Sequence, residues 1–490
     1  MTSVPIGFPA TPPRRWVSGA TAEFALFGLL VGSIGFSALT VLLFGPWALV
    51  IPLYAGLVGL IVVAPEKGAL VVFALAVAFE PAALDITKPL SAALYQMPPG
   101  MTKPFGLTMT PVEMLTAMIA ISLLVKPQLY ASSKPRLPAL IYALPAVIVL
   151  GFLYGARKGG ALNTGYEEAR GLLFGMCAFY IARRLAGRPA QPWLKAFFAG
   201  TVVLAIVVIL RYYTVTRAGS AVPVEFQYAH EDAVFLAIGC VLAGVKLMRS
   251  KTNGSRVWLL LYGLLLFAAL FATGRRAGTL VLVVGVLVAA WLTFRHRPRL
   301  VIAIGLPVLV VSTAYLGAYW NKQYGTLAQP ARAIRSQFDP NARDESSDTY
   351  RTTEAFDVVQ TIRGNRLFGV GFGVPFAQYQ PLPSLTSFWP LQSYTPHENV
   401  LWLWLKGGIL GISVALGIWV LAFKRCLIAI RQRAGSDTWL LPVVLASVLT
   451  MYLSYAGVDQ SLTVSRASSL LAVALALAFS LPAAGRLEDA

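Results

Sequence analysis

Residues 257–294 read VWLLLYGLLLFAALFATGRRAGTLVLVVGVLVAAWLTF, two apolar runs joined by the turn Thr273-Gly274-Arg275-Arg276. A helix rises about 1.5 Å per residue, and the hydrocarbon layer of a bilayer is about 30 Å thick, so each run suits one crossing. Inside lipid an unpaired backbone group costs several kcal/mol, which leaves only helices and closed barrels as spanning structures. Neither run alternates polar with apolar residues as a barrel strand does, so both are expected to be helices.

The same texture recurs along the chain. Further helices are expected near 22–43, 46–64, 68–84, 109–125, 138–155, 169–186, 196–215, 231–248, 300–320, 399–423, 438–456 and 467–484, beside 257–273 and 277–294. Apolar residues make up 57% of the chain and charged residues only 12%, too few to coat a soluble surface. The expected fold is therefore an all-α polytopic membrane protein of about fourteen transmembrane helices.

A net charge of +19 raises the question of nucleic acid, and the placement of the charge answers it. With the N-terminus in the cytoplasm, the short inside loops collect Arg14, Arg15, Lys126, Lys134, Arg136, Arg183, Arg184, Arg188, Arg249, Lys251, Arg256, Arg295, Arg297, Arg299, Lys424, Arg425, Arg431 and Arg433. Short outside turns such as Gly45-Pro46 are nearly uncharged. This bias follows the positive-inside rule and puts both termini in the cytoplasm. A nucleic-acid surface needs its charges on one folded face with interleaved aromatics, which this is not. No small-residue cleavage site follows the first apolar run, so it reads as an uncleaved span. Cys177, Cys240 and Cys426 lie in or beside apolar helices without disulfide or metal spacing.

Three regions follow: membrane helices over 1–320, a large extracytoplasmic loop over 321–398 containing short helices, and membrane helices over 399–490. A second outside loop, about 85–108, is rich in Pro and Met. The large loop carries Phe, Trp, Tyr, Leu and Val and is expected to fold against the helix ends; unstructured loops of such length are rare in compact domains. Within it Asp348 is expected to cap a helix running to about Ile362 and ending at Gly364. Arg351, Ala355, Val358 and Ile362 share one face of that helix, which makes it amphipathic. Gly369-Val370-Gly371-Phe372-Gly373 lacks the strand before it and the helix after it that a dinucleotide loop needs, so a tight backbone turn is expected.

The chain has three histidines. His296 sits among cytoplasmic arginines. His230, in His230-Glu231-Asp232, opens an outside helix, and three consecutive residues cannot converge on one metal from a helix. His397 precedes a helix at the outer boundary, and an imidazole with its ordinary pKa near 6.5 is suited to act as a base at neutral pH. Arg275 and Arg276 lie at the outer end of their helical hairpin, against the charge rule. An anionic ligand accounts for them, as lipid headgroup contact also does.

The order of these features resembles the O-antigen polymerase and O-antigen ligase superfamily of bacterial envelope glycosyltransferases. An outside Arg opens a helix, an Arg-helix-GxGxG loop follows, then His-x-Asn-x-x-Leu and a helix with Gly-Gly-x-x-Gly. The family's Thr-x-Ser-Arg falls on Thr273-Gly274-Arg275-Arg276, with Arg275 in place of the serine. Its loop arginine falls on Arg351, its glycine-rich stretch on Asn365 to Gly373, its catalytic histidine on His397 and the following Asn on Asn399. Glu167, Glu168 and Arg170 resemble a further, weaker family feature. The strong part covers about residues 265–425.

The resemblance implies an inverting glycosyl transfer from an undecaprenyl-pyrophosphate-linked glycan at the extracytoplasmic face of the bacterial inner membrane, with no cofactor, nucleotide sugar or metal. Arg276 and Arg351 are expected to hold the pyrophosphate and His397 to deprotonate the acceptor hydroxyl, with Arg275, Asn399 and Arg170 as further substrate-binding residues. The acceptor is another lipid-linked repeat for a polymerase, or the lipid A core or a protein for a ligase. Eleven spans before the loop and three after it favour the polymerase, whose partners extend to a chain-length regulator. The rival class is a polysaccharide or lipid transporter or flippase, whose site would lie near the bilayer midplane in broken helices or repeats. Polar residues here concentrate outside instead, with Lys406 the main exception.

Overall fold

The computed structural model describes residues 50–81, 87–96, 108–125, 136–185, 190–217, 228–295, 298–322, 326–336, 338–387, 389–433 and 439–481. The expected span 22–43 and the side chain of His296 lie outside them. The chain divides into Met1–Gly59 and Leu60–Ala490. Of the first unit only the opening of a helix is described, and every contact below belongs to the second.

The described residues are helical wherever an apolar run was expected, and they contain no strand. In chain order the helices are α1 (Val50–Val63), α2 (Pro65–Ala78), α3 (Lys88–Tyr95), α4 (Pro111–Val125), α5 (Ala139–Arg157) and α6 (Leu162–Leu185). They continue with α7 (Gln191–Arg217), α8 (His230–Leu247), α9 (Asn253–Ala272), α10 (Arg276–Phe294), α11 (Pro298–Tyr319) and α12 (Gln329–Arg335). Last come α13 (Ala342–Gly364), α14 (Asn399–Gln432), α15 (Leu440–Ala456) and α16 (Ser465–Phe479). Among the described residues six helices are long and apolar enough to cross a membrane: α5, α7, α9, α10, α11 and α14. α4, α15 and α16 are apolar but shorter. A polytopic α-helical membrane protein is thus supported, whereas the count of about fourteen spans is not. Outward-facing Trp258, Leu264, Leu287 and Val311 are exposed, an apolar surface that suits lipid.

Inside the bundle, α16 packs along α6, α10 along α8 and α15, and α14 along α5 and α15. Close approach depends on small residues. A side chain at Gly171 of α6 would run into the Leu462 carbonyl, and Gly175 faces Ser468.

The large loop is built on α13, which starts earlier than expected. Asn341 is its N-cap, accepting the Asp344 N–H at 2.9 Å. Asp348 therefore sits in the second turn and is free for another role. Val358 and Ile362 of α13 form a buried cluster with Val370, Phe376 and Leu405, which seats the loop on α14.

The glycine-rich stretch bends at Val370 and turns at Phe372-Gly373, as its sequence led one to expect, and passes as a strap between α5 and α14. Val370 N–H donates to Leu405 O at 2.6 Å, and Phe372 N–H to Gly151 O at 3.1 Å. Gly369, Gly371 and Gly373 all have left-handed φ (69°, 86° and 80°), a region that costs other residues about 1–2 kcal/mol. A Cβ at Gly371 would also overlap the Gly155 backbone. α14 breaks opposite the strap, at Gly408 (φ 62°, ψ −160°). The break frees groups that the loop takes up, since Ile409 N–H donates to Arg366 O at 3.0 Å. Unwound backbone at membrane depth is stable only when neighbouring protein satisfies it in this way.

Candidate active site

α10, α13, the start of α14 and the connector between α15 and α16 each bring polar groups into one cluster. The turn between α9 and α10 is tied by Thr273, whose hydroxyl donates to Leu270 O at 2.7 Å and accepts the Arg275 N–H at 3.3 Å. Gly274 reverses the chain with φ 65°. α10 then opens on Arg276, whose fork grips both Asp348 carboxyl oxygens at 2.8 and 3.2 Å. Arg275 turns the other way and donates to the Tyr228 carbonyl.

One turn beyond Asp348 on α13, Arg351 donates to Val458 O at 3.3 Å and lies 3.8 Å from Asp459 Oδ2. A further turn on is Glu354, buried at 2% exposure. Its Oε2 accepts the backbone N–H of His397 at 2.8 Å and meets His397 Nδ1 at 2.9 Å. The imidazole is 19% exposed, and with Nδ1 engaged its Nε2 is the nitrogen left for chemistry. Trp389 and Tyr350 stand edge-on to the ring at centroid distances of 4.9 and 5.7 Å. Burial and then the Glu354 charge push the Tyr350 phenol up to about 12, so it stays a donor to Glu354, while Gln392 donates to its oxygen at 2.9 Å. Burial and the same Glu354 charge also raise the Glu398 carboxyl.

Asp459 lies in the loop between α15 and α16. Burial would raise its carboxyl, but His230, Arg351 and His397 hold it well below the usual carboxylate range. Arg351 thus faces Asp459 and lies one helical turn from Glu354, two buried carboxylates that each hold an imidazole.

The partners of His397 and Arg276, Glu354 and Asp348, and Arg351 itself all lie on α13. Asn399 is close by but fully buried: it accepts the Leu462 N–H at 2.6 Å and donates to Pro396 O at 3.4 Å, fixing the start of α14. Arg170 makes its contacts elsewhere. It pairs with Glu167 at 2.9 Å and Glu113 at 3.3 Å, joining α6 to α4. Lys406 is buried against Glu168 at 2.9 Å and donates to Val374 O at 2.6 Å, under the strap that Glu168 also holds through the Gly373 N–H.

The arrangement pairs a carboxylate-held imidazole with guanidinium forks from α10 and α13, which is equipment for deprotonating a hydroxyl beside a bound anion. Residues 260–416 match the O-antigen ligase family. The match supports the O-antigen polymerase and ligase superfamily, and with the apolar helices it indicates a multi-pass membrane enzyme of O-antigen ligase or polymerase type. The matched segment contains Arg275, Arg276, Arg351, Glu354, His397, Asn399 and Lys406. His230 and Asp459 complete the cluster from outside it. No curated protein matches the chain.

Glu354, Asp459 and the His230 contact were missed in the sequence. Glu354 carried one usable signal: it lies three residues after Arg351, hence on the same helical face.

Proposed function

We propose that this protein is a glycosyltransferase of envelope polysaccharide assembly. It polymerises undecaprenyl-pyrophosphate-linked repeat units at the extracytoplasmic face of the bacterial inner membrane. The observation that carries this reading is the Glu354–His397 dyad one helical turn from Arg351. His397 Nε2 takes the proton of the acceptor hydroxyl as its oxygen attacks the anomeric carbon. The bond to the pyrophosphate breaks on the opposite side, which inverts the configuration. General-base help of this kind is typically worth about 10²–10⁴-fold.

Pyrophosphate is already a good leaving group and needs chiefly to be held and neutralised. Arg276 and Arg351 do this with forked, charge-assisted hydrogen bonds, each worth about 1.5–3 kcal/mol, so no step calls for a metal. A cavity of about 360 Å³, lined by Leu144, Pro145, Met176, Phe179, Ile418 and Leu462, offers an apolar path for the polyprenyl tail. Leu462 in its lining gives its N–H to Asn399, at the start of α14. This reading carries the finer organisation with it: about fourteen spans, both termini cytoplasmic, residues 321–398 as the catalytic loop, and a chain-length regulator as partner.

A second reading is a ligase that moves the finished polysaccharide to the lipid A core or to protein. The matched family's own description favours it. Both readings share donor and chemistry and differ only in acceptor.

The test is glycan length in a deletion strain complemented with the natural gene or with His397→Ala at matched expression. Single repeats in the mutant strain, where the natural gene gives long chains, support the polymerase. Long chains stranded on the lipid carrier mark the ligase. Normal glycan from His397→Ala removes the catalytic assignment and brings back a transporter.

A further inference from the structure

His230 opens α8, outside the segment that matches the O-antigen ligase family. Its Nδ1 meets Asp459 Oδ2, and Asp459 is 3% exposed while the imidazole is 37% exposed. This repeats the Glu354–His397 arrangement. Two buried carboxylates each hold an imidazole by Nδ1 and leave the ring partly open, Asp459 3.8 Å from Arg351 and Glu354 one helical turn along α13 from it.

The surrounding charges do not cancel. Glu231 and Asp232, beside His230 on α8, are both consumed by buried Arg466, at 3.0 and 2.8 Å. Glu354 is consumed by His397, and Asp344 and Asp348 face Arg276. Asp459 is left to Arg351 and His230, and its charge also reaches Arg275 and His397. Outside the Glu354–His397 pair, Asp459 and Glu398 face the guanidiniums of Arg351 and Arg275, so a protonated His230 tips the cluster positive, which suits an anionic ligand.

We propose that His230, oriented by Asp459, is a second functional histidine, whose Nε2–H donates a charge-assisted hydrogen bond to the pyrophosphate oxygen that leaves the anomeric carbon. This rests on the glycosyl-transfer reading above and divides the work between the two dyads. The bond from the anomeric carbon to the pyrophosphate oxygen breaks and leaves its electron pair on that oxygen. The acceptor oxygen forms the new bond and its proton passes to His397. His230 donates without giving up its proton, so the base and the anion donor are separate imidazoles.

The experiment uses the full-length protein in phosphatidylcholine nanodiscs with a lipid-pyrophosphate-linked glycan donor, comparing natural, His230→Gln, His230→Ala and His397→Ala chains. Inorganic pyrophosphate serves as the leaving-group probe, read as an inhibitor and as a shift in melting temperature. His230→Gln is expected to lower kcat about 10²-fold and to weaken pyrophosphate inhibition about 10-fold. The melting shift caused by pyrophosphate should fall with it, which separates a lost contact from a lost fold. Unchanged kcat and inhibition in His230→Gln, with His397→Ala inactive, overturn the role of His230 alone. Full activity of His397→Ala instead overturns the underlying transfer reading. A melting shift given by phosphatidylglycerol vesicles and not by pyrophosphate assigns the charges to lipid headgroups and overturns the proposal.

Discussion

His397 presents both its main-chain N–H and its ring Nδ1 to a single carboxyl oxygen, Glu354 Oε2, at 2.8 and 2.9 Å. The carboxylate fixes where the residue sits and which nitrogen carries the proton. Glu354→Gln keeps the shape but offers an amide that can settle the opposite tautomer. We expect kcat to fall by about 10²-fold or more with donor KM changed little. A rise in KM with kcat preserved would mean that Glu354 serves binding instead.

Arg276 spends its fork on Asp348, which is about half exposed. Such a pair adds at most about 1 kcal/mol to stability, and Asp348 competes with phosphate for the same fork. Asp348→Asn is therefore expected to leave the melting temperature nearly unchanged and to lower donor KM. Arg276→Lys, which keeps the charge and loses the fork, should raise donor KM about 10-fold. If Asp348→Asn raises KM as far as Arg276→Lys does, Asp348 positions the arginine and does not compete.

Lys406 and Glu168 are 1% and 0% exposed and sit 238 positions apart in sequence. Removing one partner strands a buried charge, at a cost of about 3–5 kcal/mol. Lys406→Met alone is expected to melt or degrade readily. The double variant Lys406→Met with Glu168→Gln should recover part of the loss, since the amide oxygen can still accept the Gly373 N–H. Equal melting temperatures for single and double variants would show that the pair is not coupled.

The Asp459 carboxyl is held below its ordinary range, so its pairing adds stability above that range and loses it only as pH falls through the depressed folded value. It stays ionised at neutral pH, where it faces His230 and Arg351. Asp459→Asn removes that charge, so the melting temperature of the natural protein should exceed that of the variant at neutral pH, and the gap should shrink as pH falls below the ordinary carboxylate range. A gap that stays constant into strong acid would show that the ionised carboxyl adds no stability.

Helices were legible because a run of about twenty apolar residues has few other solutions. His397, Arg351 and Arg276 were legible because rare or misplaced charges stand out in such a chain. Glu354 did not, because one acid on an amphipathic helix looks like part of a solvated face. Asp459 sits in a short connector, and the α13 start was misread because Asp348 and Asn341 are equally good caps in sequence. The partners of Lys406 and His230 lie hundreds of residues away, and no local pattern encodes such a distance.

The strap at residues 369–373 has a bearing on biogenesis. One edge hydrogen-bonds to α5, made long before it, and the other to the break in α14, made after it. The loop cannot be locked in place until synthesis has passed Ile409. A chain still emerging from the ribosome thus lacks a finished reaction centre, and lipid-linked sugar meets a competent protein only when the late helices have been inserted.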